Sequence, residues 1–172
     1  MAAKRLTNEF MEKILKDSAW KELSENFEWT EQMLEKHKNR VDWKEISDNC
    51  NIVWTPLMLE KFKKLIDRKK LSSTSCETIL TDDCLELFKD YWDWSKLSDN
   101  GDLELNYQLI DKFIDQWDWS ELINRWHDDK LYNVDFLERY ADKIPSSQLQ
   151  DSRLWRELVE ERAKELKLEV IS

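Results

Sequence analysis

The chain has 172 residues, the length of one ordinary domain with a buried core. It carries 10 Trp but only 1 Gly and 2 Pro, which argues against disorder and against hairpins built on Gly-containing turns. Net charge is −10, split into 15 Lys/Arg against 14 Asp/Glu in residues 1–80 (+1) and 12 against 23 in residues 81–172 (−11). So acidic a second half repels phosphate and attracts basic partners, the reverse of a duplex-binding protein.

The opening residues, MAAKRLTNEF, hold no apolar run of signal-peptide length, and no later segment reaches the roughly 18 apolar residues of a membrane span. A soluble, cytoplasmic protein is the expectation. From Thr7 a two-part pattern begins. Phe10, Met11 and Ile14 follow at +3, +4 and +7, the buried stripe of a helix. Trp20 then anchors a shorter element, with Leu23 and Ser24 behind it.

The pattern recurs along the chain. Thr30, Thr55, Thr81, Asn106 and Asn133 stand where Thr7 stands, as N-caps of the longer helices. Pro56 follows Thr55, the favoured place for proline in a first turn. Apolar residues return at +3, +4, +7 and +11, as in Leu109, Ile110, Phe113 and Trp117, so each longer helix is expected to run about 11 residues. The short elements are anchored by Trp20, Trp43, Arg68 in place of Trp, Trp94 and Trp119, at spacings of 23, 25, 26 and 25. Asp42, Asp67, Asp93 and Asp118 precede their anchors as caps, and Ser24, Ser47, Ser72 and Ser98 follow four residues after theirs. This explains Trp-Asp-Trp. Its first Trp closes one stripe, Asp turns the chain and caps, and the second Trp anchors the next helix.

Helices this short do not stand alone in water, so the copies must stack. The expected fold is all-α: a right-handed two-helix α-solenoid of about five 23–27-residue repeats, in one domain over 1–172. The units are 20–42, 43–67, 68–93, 94–118 and 119–145, after an N-terminal half repeat and before a C-terminal cap helix in 146–172, capped by Ser152. The sequence resembles tandem Trp-rich repeats of the form W-D-W-x-x-L-S-x-N in bacterial and large-virus proteins of unassigned activity. The resemblance covers roughly 18–145 and is clearest in DWKEISDNCNIVW and WDWSKLSDN. Arg68 departs from it, as do Ile123 and Arg125, which replace Ser and Asn. It implies no catalytic residues.

Catalytic signatures are missing from the sequence: no nucleophile elbow, no Gly-rich phosphate loop, no paired His ligands. No metal or cofactor is expected. Cys50, Cys76 and Cys84 lack metal-ligand spacing and are expected to be reduced thiols. Three departures from the repeat are candidate contact sites. Lys61, Lys63, Lys64, Arg68, Lys69 and Lys70 make a basic patch. Asp82, Asp83, Asp99, Asp102, Glu104, Asp128 and Asp129 gather at successive short-to-long junctions as an acidic edge. Arg125, Trp126 and His127 form an aromatic site where other units hold Phe27, Cys50, Ser75 or Gly101 at the Trp126 position. Trp and Arg are enriched in binding hot spots, although a core plug is the alternative for Trp126. The expected function is a non-catalytic protein-binding scaffold or adaptor whose partner has a basic surface. The alternative is an acidic inhibitor, virus-encoded for instance, occupying the nucleic-acid site of an enzyme.

Overall fold

A computed structural model describes residues 8–126 and 130–171. These residues are all-helical, without a strand, and form two compact units that divide between Tyr91 and Trp92. The first contains α1 (Asn8–Asn26), α2 (Glu31–His37), α3 (Trp43–Ile46), α4 (Pro56–Phe62), α5 (Arg68–Ser72) and α6 (Asp82–Leu87). The second contains α7 (Trp94–Asp99), α8 (Tyr107–Lys112), α9 (Trp119–Leu122), α10 (Val134–Arg139), α11 (Ser146–Leu149) and α12 (Arg153–Ile171).

Capping follows the sequence closely. Thr30, Thr55, Thr81, Asn106 and Asn133 each accept a hydrogen bond from the backbone N–H three residues on. Asp42, Asp67, Asp93 and Asp118 cap the short helices, accepting from the N–H two or three residues on. The longer helices end sooner than expected, after six or seven residues rather than about 11. Phe88, Phe113 and Tyr140, the +7 residues, already leave helical geometry, with φ of −114°, −118° and −116°. The turns that follow still bring the +11 residues Val41, Ile66, Trp92, Trp117 and Ile144 into the core.

The first short helix also differs from expectation. α1 runs unbroken through Trp20, because Ala19 stands where Asp caps the other copies and alanine cannot cap. At the far end an additional short helix appears. α11 keeps the register of the anchors, with Ser146 at the Trp position and Leu149 three residues later. Only then does α12 begin, capped as expected by Ser152, whose Oγ accepts from Trp155 N–H at 3.1 Å.

Serine and tryptophan perform separate tasks in D-W-x-x-L-S. Trp43 lies against Phe62, Trp94 against Phe113 and Trp119 against Tyr140, with ring centroids 5.2, 5.0 and 5.1 Å apart. Each anchor thereby fastens a short helix to the +7 residue of the longer helix after it. Ser24, Ser47 and Ser98 are buried and donate to the carbonyls of Trp20, Trp43 and Trp94. Their oxygens accept from the N–H of Asp42, Asp67 and Asp118 at 2.9, 2.8 and 2.9 Å. Serine therefore clips one copy to the cap of the next. Ile123 replaces it before the one cap that is Pro145, which has no N–H to give. There α12 takes over: Leu154 N–H donates to Ile123 O at 3.0 Å and Arg153 N–H to Asn124 Oδ1 at 3.1 Å.

Two residues after the later serine positions stand further buried polar residues: Asn49 and Thr74 in the first unit, and Asn100, Arg125 and Ser152 in the second. Asn49 Nδ2 donates to Ser24 O and Phe27 O at 2.8 and 2.9 Å, reaching into the preceding copy. One residue beyond Asn49, Cys50 is joined to Cys76 by a disulfide, with Cα atoms 5.0 Å apart. This corrects the expectation of three reduced thiols; Cys84 stands outside the bridge as a thiol and is buried. Cys50 and Cys76 are 26 residues apart, close to one repeat, so stacking brings their loops side by side.

Candidate functional site

Trp126 is 68% exposed, which settles its place outside the core. Arg125, one residue earlier, is 0% exposed and donates from Nη2 to Leu103 O at 2.6 Å. Arg125 is thus one of the buried polar residues of the second unit and not a contact residue, a correction to the expected aromatic site. His127, Asp128 and Asp129 lie outside the described residues. The residue that does accompany Trp126 is Arg153, whose guanidinium carbon sits 4.3 Å from the ring centroid. Arg153 also faces Glu157 at 3.6 Å. A cation over one face orients the indole while leaving its other face outward. No sequence signal marks this pair, because 27 residues separate its members and only the docking of α12 joins them.

The acidic residues are surface groups. Asp82 and Asp83 occupy the first turn of α6, where negative charge offsets the helix dipole. Asp99 ends α7, the wrong end for that effect. Asp102 N–H is held by Asn100 Oδ1 at 2.9 Å, fixing the loop that carries Asp102 and Glu104. All five acids are exposed, and among the described residues none enters an ion pair.

The basic patch is divided. Lys63 pairs with Glu60 at 2.6 Å, Lys70 with Asp48 at 3.1 Å, and Lys61 with Glu31 at 2.9 Å and Glu35 at 3.5 Å. Bonding to these carboxylates raises the Lys61 and Lys70 ammonium groups above their ordinary pKa. Lys64, Arg68 and Lys69 are exposed and enter no ion pair among the described residues. Lys61 and Lys70 join neighbouring copies through these exposed pairs, whereas Lys63 pairs within its own copy.

The polar faces of α8 and α10 are joined more tightly. Arg139 bonds both carboxylate oxygens of Asp111, and the Tyr140 hydroxyl donates to Asp111 Oδ1 at 2.9 Å. The Arg139 bond holds Asp111 below its ordinary carboxyl pKa. Burial, then the bond to Asp111, push the Tyr140 phenol up to about 12. A folded phenol that holds its proton above the unfolded value of about 10 makes folding less favourable as pH rises between the two. Unfolding midpoints in urea should therefore fall from pH 9 to pH 11.5, and Tyr140→Phe should flatten that fall. An identical slope in the variant would remove Tyr140 as its source.

Among the described residues, no three His, Cys, Asp or Glu side chains converge as a metal-binding group, and no helix is long and apolar enough to cross a membrane. Compared with protein-family models, with curated proteins and with solved structures, the chain matches none.

Proposed function

We propose that this protein is a non-catalytic protein-binding scaffold, a right-handed two-helix solenoid that engages a basic protein surface through Trp126 and its exposed acids. The observation that carries this reading is Trp126, outward and seated on Arg153, in a chain whose other Trp residues at repeat positions are buried or half-buried. A large aromatic side chain kept in water and oriented by a cation is costly for folding alone and suits an interface anchor. Asp99, Asp102 and Glu104 support it as unpaired rim charges in the same unit.

The test is affinity capture followed by measurement on the purified pair. Trp126→Ala should weaken the complex by about tenfold or more, as truncation of a hot spot does, with the melting temperature unchanged. Asp99→Asn with Asp102→Asn should slow association at low salt and matter less as salt screens it. Full affinity in Trp126→Ala would remove the aromatic anchor. Recovery of a nuclease or polymerase bound through the acids alone would favour the acidic-inhibitor reading instead.

A further inference from the structure

The first unit contains a cleft of about 580 Å³ between α1 and the link from α2 to α3, remote in sequence from Trp126. We propose that this cleft binds a small organic anion, a carboxylate or phosphate carried on a flat apolar body. Its volume lies within the range of about 300–1,000 Å³ usual for small-molecule sites. The anchors of consecutive copies, Trp20 and Trp43, both half-buried, form part of its wall, and Lys16, Lys21 and Arg40 add three cations in a chain of net charge −10.

The cleft is held in shape from several directions. Trp43 Nε1–H donates to Lys38 O at 2.8 Å, and the Asp42 N–H is clipped to Ser24 at 2.9 Å. Trp20 rests against His37, with centroids 5.5 Å apart, and Arg40 lies over the Trp20 ring at 5.7 Å. A guanidinium stacked on an indole keeps its edge N–H donors for an oxyanion, which it can grip with two parallel bonds. Lys21 is shared with Glu45 at 3.3 Å, whereas Lys16 and Arg40 enter no ion pair among the described residues.

Asp17 and Asp42 also line the cleft. With Glu45 paired to Lys21, three cations meet three acids, so an anion is held there by Lys16 and Arg40 and not by a net charge of the cleft. A nucleic-acid strand needs a continuous basic track, and this cleft supplies none. The indole walls then select for a ring over a bare ion, because stacking and apolar contact are available only to the former.

Calorimetric titration of the full chain at low salt tests this, with phenyl phosphate and phenylacetate as ring-bearing anions. Inorganic phosphate supplies charge without a ring, and benzyl alcohol a ring without charge. At least one ring-bearing anion should bind saturably, with both controls at least about tenfold weaker. Which of the two binds tighter identifies phosphate or carboxylate as the preferred headgroup. Arg40→Gln and Lys16→Gln change exposed side chains, so they should fold normally while weakening binding by about tenfold each, the loss expected for a charge-assisted bond. No saturable binding of either ring-bearing anion at millimolar concentration would overturn the proposal. So would inorganic phosphate binding as well as phenyl phosphate, or full binding retained in both variants.

Discussion

Trp119→Ala should destabilise the chain by about 3–5 kcal/mol, the usual loss for truncating a buried Trp. The reason is local. α9 is four residues long, too short to persist by its own hydrogen bonds. Trp119 holds it in place: the residue is buried, its ring lies 5.1 Å from that of Tyr140, and Nε1–H donates to Ile114 O at 3.3 Å. Removing the indole leaves a cavity beside Tyr140 and an unbonded carbonyl, and both effects oppose folding. Trp126→Ala is the matched control. Its indole is mostly in water, so the loss should stay within about 0.5 kcal/mol, as for ordinary surface changes. Urea unfolding of both variants measures the difference; equal large losses would return Trp126 to the core.

Reducing the Cys50–Cys76 bridge should lower the stability of the first unit by about 3 kcal/mol. The bridge closes a loop whose ends are 26 residues apart, and a cross-link of that span restricts the unfolded chain by roughly this amount in the loop-entropy account. Cys50→Ser should reproduce the loss. Alkylation of the unreduced chain in denaturant should label one cysteine, Cys84, and hydrogen exchange on reduction should accelerate most between α3 and α6. Three labelled cysteines in the unreduced, denatured chain would show the bridge to be absent.

How much of this could be read beforehand follows from the range of each interaction. N-caps are bonds between residues two or three apart, so Thr55, Asn106, Asp93 and Asp118 declare themselves in the sequence. The +3 and +4 positions are equally local, because helical geometry alone puts them on one side, whereas the +11 residues lie past the helix ends and reach the core through the turns that follow. The continuity of α1 and the separate helix α11 were not expected, although Ala19, where other copies have Asp, and Leu149, three residues after an anchor position, are the local signals that go with them.

The sequence by itself therefore determined the caps, where most helices start and most core residues beyond α1, whose Phe10, Met11 and Ile14 are exposed, but not where the longer helices end. Tertiary structure decided what joins groups more than twenty residues apart. Arg125 reads as a surface cation until Leu103 O, 22 residues earlier, receives its Nη2–H inside the protein. Cys50 and Cys76 read as separate thiols until adjacent loops stack. Arg153 reads as the start of a cap helix until the bonds from its N–H to Asn124 and from Leu154 to Ile123 set it against Trp126. Periodicity specifies which residues occur at equivalent positions, but not whether a polar group there finds the partner without which its burial is costly. Only a partner brought from another copy, with the geometry to satisfy a buried donor, decides between exposure and burial.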